Sequence, residues 1–178
     1  MSKKVLIISS SPRKGGNSDT LCDEFKRGAE EAGNKVEKLF LKDKNINYCV
    51  GCGVCNQTGN CTQKDDADEI VNNMINADVN VMASPVYFYT ISAQMKTLID
   101  RTCAKHRQIK NKEFYFILTA ADSRPESLIR SIECFRGFTS CLINPVEKGI
   151  IYANSAWNMG DINENQAIEE AYRMGFNI

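Results

Sequence analysis

The chain is short of several things. Its 22 basic and 22 acidic residues cancel to a formal charge of zero, so it builds no broad positive field of the kind that nucleic acid or an anionic membrane surface attracts. Neither partner is expected. Its longest apolar runs are four to six residues, far below the roughly 20 that a bilayer span needs. The opening segment MSKKVLIISSSP has too short an apolar core for a secretory signal, and a cytoplasmic location is the expectation. There is one histidine, His106, flanked by Lys105 and Arg107. It reads as a solvated surface residue, and no Ser/His/Asp or Cys/His set for nucleophilic catalysis can be assembled around it. Repeats and low-complexity tracts are absent. Two nucleotide signatures are missing as well: nothing matches GxxxxGK[ST], and Gly15 and Gly16 lack the spacing of GxGxxG. No motif reads the 2′-phosphate that separates NADPH from NADH.

What is present reads as one α/β domain over residues 1–178, long enough to bury roughly 70% of its unfolded surface. Short β-branched runs predict strands at 4–9, 35–41, 78–84, 113–120 and 146–152. Between them, apolar residues recur at helical spacing. The inner faces are read as Leu21, Phe25, Gly28, Ala29 and Ala32; Ile70, Val71, Met74 and Ile75; Ile91, Met95, Leu98 and Ile99; Leu128, Ile129, Ile132 and Phe135; and Ala167, Ala171 and Met174. Strands separated by helices pair in parallel through crossovers, with helices on both faces, and such sheets hold ligands at the carboxyl ends of their strands. The loops leaving the strands are therefore where function is sought.

The first such loop is SSSPRKGGNSDTL, residues 9–21. Ser9, Ser10, Ser11 and Ser18 supply hydroxyls, Asn17 an amide, Gly15 and Gly16 a turn that aims backbone N–H groups inward, and the following helix its positive end. Together these are the requirements of a phosphate site. The plainer alternative is that Asn17 or Ser18 only caps the helix. The loop after the third strand, SPVYFYTISAQMKTLIDR at 84–101, places Tyr87, Phe88 and Tyr89 at the same sheet edge. Three aromatics in a row pack into cores more often than they line a ligand site, but between a strand end and a helix start they make a slot for a flat ring. A third loop, TAADSRP at 119–125, brings Asp122 and Arg124 to that edge. There they contact either the rim of a bound flat ring or a second ligand's phosphate, or Asp122 or Ser123 simply caps the next helix.

S-P-R-x-x-G-N-S at 11–18 followed by S-P-V-Y-F-Y-T-I-S-A-Q-M-K-T-L-I-D-R resembles the flavodoxin-like NAD(P)H-dependent FMN reductase family, including its iron-sulfur flavoprotein branch, across nearly the whole chain. The resemblance implies a flavodoxin-like three-layer sandwich with a five-stranded parallel sheet. It implies FMN held through its phosphate by Ser11, Arg13, Gly16, Asn17 and Ser18, with Ser9 beside them. The ring is then held by Pro85, Val86, Tyr87 and Phe88, with Asp122 a further contact. This chain has Ser10 where many relatives have glycine. The implied activity is electron transfer from NAD(P)H or a ferredoxin-like donor to a small acceptor. The flavin carries the chemistry and no side chain is catalytic. A homodimer or homotetramer with the cysteine loop near a partner subunit is implied too. Two alternatives stay open: a flavodoxin-type carrier, which the neutral charge disfavours, and a thiol redox sensor.

Eight cysteines in a cytoplasmic chain point to metal, redox chemistry or buried thiols rather than a disulfide framework. Cys49, Cys52, Cys55 and Cys61 are spaced C-x2-C-x2-C-x5-C in a loop at about 45–65, with Gly51, Gly53 and Gly59 letting the chain wrap. A C-x2-C-x2-C run is the ferredoxin manner of surrounding a cubane, and the fourth cysteine lies close enough to complete a [4Fe-4S] site. The spacing is similar to that of the iron-sulfur flavoproteins. Zinc and a cluster-free thiol loop are the competing readings. Cys22, Cys103, Cys134 and Cys141 are expected to be buried small apolar residues. Trp157, after the fifth strand, either covers a neighbouring subunit's flavin or packs locally.

Overall fold

The computed structural model describes residues 2–178. Its strands are β1 (Lys4–Ser9), β2 (Lys35–Phe40), β3 (Val79–Tyr87), the two-residue β4 (Thr90–Ile91), β5 (Glu113–Thr119) and β6 (Val146–Ala153). Five of them form a parallel sheet in the order β2-β1-β3-β5-β6, and β4 pairs antiparallel with the end of β3. The helices are α1 (Asn17–Glu31), the short α2 (Val54–Thr58), α3 (Ala67–Asn76), α4 (Ala93–Arg101), α5 (Ile129–Thr139) and α6 (Ala167–Phe176).

The period-2 alternation of strand side chains divides the core into two. Val5 and Ile7 point to one face, where they join Leu21, Cys22 and Phe25 of α1 and Ala167 and Ala171 of α6. Leu6 and Ile8 point to the other, toward Ile70 and Met74 of α3, Met95 and Leu98 of α4, and Ile132 and Phe135 of α5. The result is the expected flavodoxin-like three-layer sandwich. Burial of a Phe25 or a Phe135, each fully enclosed, stabilises it by ~1.5–3 kcal/mol. Helices α1 and α6 approach closely because each presents a glycine at the crossing. A Cβ on Gly28 would land on the Tyr172 carbonyl, and one on Gly175 on the Phe25 carbonyl.

Apart from the short β4, the strand order reverses between β1 and β3. In an open α/β sheet that reversal leaves a crevice at the strands' carboxyl ends. All five expected strands are present, with one extended: β3 runs to Tyr87, beyond the expected end at 84, and folds back through Phe88 and Tyr89 into β4. Ile91 consequently belongs to β4, not to a helix. The expected inner faces hold except at their ends, where Ala32 and Ile129 are exposed. No helix among the described residues is long and apolar enough to cross a membrane.

The cysteines outside the C-x2-C-x2-C-x5-C run depart from expectation. Only Cys22 is buried; Cys134 is half-buried, and Cys103 and Cys141 are exposed. Their positions explain this: Cys103 falls in the 3₁₀ turn Thr102–Ala104 after α4, and Cys141 lies beyond the end of α5. His106 is half-buried in the next turn, its Nδ1 3.0 Å from the Cys103 carbonyl oxygen.

Candidate functional site

A cleft of about 290 Å³ opens at the β1/β3 reversal. One end is built by the loop leaving β1. Helix α1 begins at Asn17 with Gly16 as its N-cap, and no side chain caps it. The leading N–H groups and the positive end of a 15-residue helix therefore face the cleft without an internal acceptor. Ser11, Arg13, Asn17 and Ser18 line this end. Gly16 lets the turn close tightly, since a Cβ there would stand 3.0 Å from the Arg13 carbonyl oxygen and 3.2 Å from Ser11 Oγ. Asp19 braces the loop from behind: it accepts from the Gly15 N–H at 2.9 Å and pairs with Lys38 Nζ at 2.7 Å. Lys14 is engaged with Asp43 at 2.6 Å, which leaves Arg13 as the cation in the lining of this end.

Individual side chains divide their roles differently from the expectation. Ser9 is fully buried and lies outside the cleft lining. Ser10 stitches the loops together, its hydroxyl donating to the Ala83 carbonyl at 2.9 Å and accepting from Ser92 Oγ at 2.8 Å. A glycine there would make neither bond. The Asn17 amide serves the chain itself, donating to the Asn158 carbonyl at 2.8 Å and accepting from the N–H groups of Gly160 (3.2 Å) and Ile162 (3.4 Å). Ser18 and Thr119 hydroxyls meet at 2.6 Å across the cleft floor.

The opposite end is walled by Pro85, Val86 and Tyr87. Phe88 does not join them. It is 99% exposed at the tip of the β3–β4 hairpin and lies outside the lining. Tyr89 turns to the rim, where its hydroxyl accepts from Arg124 at 3.3 Å. Asp122 is also outside the lining. It is paired with Arg124 at 2.6 Å, and Arg124's side-chain and backbone hydrogen bonds hold its carboxyl down at about 2. Of the three aromatics, then, one forms the wall.

Residues after β6 complete the cleft, and apart from Trp157 the sequence reading missed them. Ala156, Trp157, Asn158 and Met159 line it; Trp157 is 71% and Met159 63% exposed. Asp161 fixes this segment by accepting from the N–H groups of Trp157 (2.9 Å) and Asn158 (2.6 Å). The signal available was Asn17, whose amide is matched to a distant loop, but its partners are backbone groups and leave no mark in the sequence.

The loop after β2 makes a second cavity, of about 150 Å³, lined by Cys49, Cys52, Cys55, Cys61 and also Cys103. Gly53 (φ 72°) and Gly59 (φ 69°) cap both ends of α2, turning the chain where a side chain would be strained. Burial and a hydrogen bond with Cys55 push the Cys103 thiol up. The Val54 N–H and the Thr62 hydroxyl lower Cys52. Among the described residues, no three His, Cys, Asp or Glu side chains converge on one ion. A mononuclear tetrahedral site would require that convergence, whereas a cubane spreads its thiolates over four irons. The donor set is all thiol, the soft ligand type that iron-sulfur clusters take.

Beneath this loop, Arg101 and Asp65 form a pair at 2.7 Å with 1% of each side chain exposed. Burial alone would raise the Asp65 carboxyl, but Arg101 and the N–H groups of Asn47 and Ala67 outweigh it and hold it at about 2.

Comparison with known proteins gives these cavities a context. An iron-sulfur flavoprotein of Archaeoglobus fulgidus is 45% identical over 98 residues, which is 55% of this chain and 44% of that protein. One from Methanosarcina thermophila is 36% identical over 112 residues, covering 61% of this chain and 59% of the relative. The chain spans about half the length of the curated relatives it matches. Among solved structures, an NAD(P)H:quinone oxidoreductase from Methanothermobacter marburgensis superposes with a TM-score of 0.79 at 15% identity, over 99% of this chain and 97% of that one. An azoreductase from Bacillus anthracis gives 0.77 at 17% identity, over the full length of both. These show the shared fold. Residues 3–130 match the NADPH-dependent FMN reductases. The chain therefore belongs to the NADPH-dependent FMN reductase family and is similar to its iron-sulfur flavoprotein branch.

Proposed function

We propose that the chain is an FMN-dependent oxidoreductase that takes electrons from NAD(P)H or a ferredoxin-like donor, delivers them to a small acceptor, and carries a [4Fe-4S] cluster in its cysteine cavity. One observation carries this reading: an uncapped helix N-terminus and an apolar wall line a single cleft. That is the polarity of a flavin mononucleotide. FMN supplies two-electron and one-electron chemistry when bound, and a cluster supplies one-electron chemistry.

The chain's own residues bind and orient. The N–H groups of Asn17 and Ser18 and the Arg13 guanidinium hold the phosphate, where charge-assisted hydrogen bonds are strongest. The Ser18–Thr119 hydroxyl pair faces the sugar-alcohol chain. Val86 and Tyr87 bound the ring, and backbone N–H groups between Val86 and Phe88 favour its negative charge on reduction. Trp157 and Met159 exclude water from the outer side. Cys49, Cys52, Cys55 and Cys61 hold the cluster, with Cys103 a fifth thiol at its edge.

The two cavities share no lining residue. Ser92 touches Ser10 beside the cleft, while Arg101 and Cys103 lie at the far end of α4, a helix of nine residues that spans about 14 Å. A homodimer or homotetramer, bringing one subunit's cysteine loop to another's cleft, closes that gap. Eight free thiols accord with a reducing, cytoplasmic setting.

Protein purified or reconstituted with FMN should be yellow, with one FMN per chain, and should oxidise NAD(P)H in steady state. Absence of flavin absorbance after reconstitution overturns the reading, and flavin binding without turnover of NAD(P)H or of a reduced ferredoxin leaves an electron carrier. The presence of Cys103 beside Cys55 in the lining of one cavity favours a second reading, a thiol redox sensor. Iron and acid-labile sulfide analysis of anaerobically purified protein separates the two, because the sensor contains neither.

A further inference from the structure

Resting on the cluster reading of the cysteine cavity, we propose that Arg101 is the positioning residue of that site, fixing Cys61 and raising the reduction potential of the cluster that Cys61 helps to hold. The geometry is a fork with three targets. Nη1 donates to the Asn47 carbonyl at 2.7 Å and to Asp65 Oδ2 at 2.7 Å. Nη2 donates to Asp65 Oδ1 at 2.9 Å and to Cys61 Sγ at 3.5 Å. Asn47 lies just before the first cysteine of the loop and Asp65 just after the last, so one guanidinium closes both ends of the segment and also touches a sulfur inside it. Asp65 completes the knot by accepting from the Asn47 N–H at 2.9 Å and the Ala67 N–H at 3.2 Å. Arg101 Nε is buried without a protein partner.

A buried ion pair is weak evidence of stabilisation, because desolvation offsets most of the attraction. Specificity of arrangement explains it better. Only a planar fork satisfies a bidentate carboxylate, a carbonyl and a sulfur together; lysine offers one nitrogen. A cationic N–H on a ligand sulfur in low dielectric favours the more negative, reduced form of a cluster, and such outer contacts tune both retention and potential. Asp65 partly neutralises the guanidinium and so opposes that effect.

The two acidic and basic partners therefore make opposite predictions. Flavin, iron and sulfide are quantified first in the holoprotein, and the cluster is then titrated by low-temperature EPR against solution potential. In R101K, which keeps the charge but loses the fork, the reduction equilibrium should weaken about tenfold, ~59 mV more negative for a one-electron couple, and a chelator should strip iron faster. In D65N, which frees the guanidinium from its counter-charge, the potential should rise. Variants that retain iron at the wild-type potential, or that move in the same direction as each other, overturn the proposal while the cluster reading stands. Wild-type protein without iron overturns the cluster reading itself and this role with it. If R101K fails to fold, D65N decides: an upward shift supports the assignment, and no shift or a downward one sinks it.

Discussion

Replacing Asp65 by alanine should be among the most damaging single changes outside the core. The carboxyl, 1% exposed, is held at about 2 instead of its ordinary 3.8. A displacement of that size corresponds to about 2.5 kcal/mol of preference for the ionised form. Because the folded value is depressed, the contribution is fully present above about pH 4 and is lost as pH falls through about 2. D65A removes more than the charge preference. It strands Arg101 as an uncompensated buried cation and leaves the N–H groups of Asn47 and Ala67 without their acceptor, so ~3–5 kcal/mol is expected at neutral pH. For a chain of this length that lowers Tm by about 10 °C. The double variant D65A/R101M, with no charge left to strand, should recover most of the loss. The assay is urea unfolding followed by circular dichroism, repeated from pH 7 down to pH 2. Comparing the wild type with D65N at each pH isolates this carboxyl from all the others. A D65A cost below ~1 kcal/mol, the range of an exposed pair, or a wild-type advantage over D65N that does not shrink between pH 4 and pH 2, would refute the reasoning.

Three further outcomes are expected. G175A should destabilise by ~3 kcal/mol, because its Cβ meets the Phe25 carbonyl, whereas G137A, with nothing within 4 Å in the last turn of α5, should stabilise by up to ~0.5 kcal/mol; thermal melts of the two side by side check the pair. R13Q should weaken FMN binding about 10- to 100-fold through loss of a charged hydrogen bond, read by quenching of flavin fluorescence. Riboflavin, which lacks the phosphate, should bind wild type and variant alike, and an equal loss for both ligands would move Arg13 to the ring. In iron-free protein at neutral pH, iodoacetamide should alkylate Cys52 before Cys22, since Cys52 is lowered by the Val54 N–H and the Thr62 hydroxyl while burial pushes Cys22 up to about 12; peptide mass spectrometry gives the order.

The strands were legible because parallel strands covered on both faces are continuous apolar runs, as in Val5 to Ile8, and the helices because their buried residues recur at 3.6. The geometry of the loop leaving β1 was legible for a related reason. Backbone N–H groups and a helix end are positioned by local chain geometry, which Gly16 and Pro12 reveal. What stayed hidden depends on distant pairings. Asn17 looked like a ligand contact, yet its amide is occupied by the segment 158–162, more than 140 residues along the chain. Cys103 looked like a helix-interior thiol because apolar periodicity runs up to Ile99, and nothing local shows that α4 ends at Arg101 and turns the next cysteine toward Cys55. Arg101 itself looked like the close of a helix. Only the fold brings Asn47, Cys61 and Asp65 around it.

The hairpin between β3 and β4 shows a local rule broken for a reason the surroundings supply. Phe88 (φ 49°) and Tyr89 (φ 63°) form a two-residue turn of the kind that asks for Asn-Gly, because both central residues take the left-handed conformation. Neither aromatic is suited to it, and each such residue costs on the order of 1 kcal/mol or more. The turn persists because it is pinned from several sides. Arg124 donates to the Tyr89 hydroxyl, Thr90 Oγ1 lies 3.2 Å from Cys134 Sγ on α5, and Ser84 Oγ accepts the Ser92 N–H at 2.8 Å while donating to the Pro85 carbonyl. Asn-Gly would relieve the strain and lose the rings. The chain instead keeps Tyr87 on the cleft wall, turns Tyr89 to the rim, and presents Phe88 to solvent at a point where a single subunit gives it nothing to pack against. A large apolar ring held outward by a strained turn beside a ligand cleft costs stability in isolation, and a neighbouring surface would reduce that cost. The proposed homodimer or homotetramer would supply such a surface.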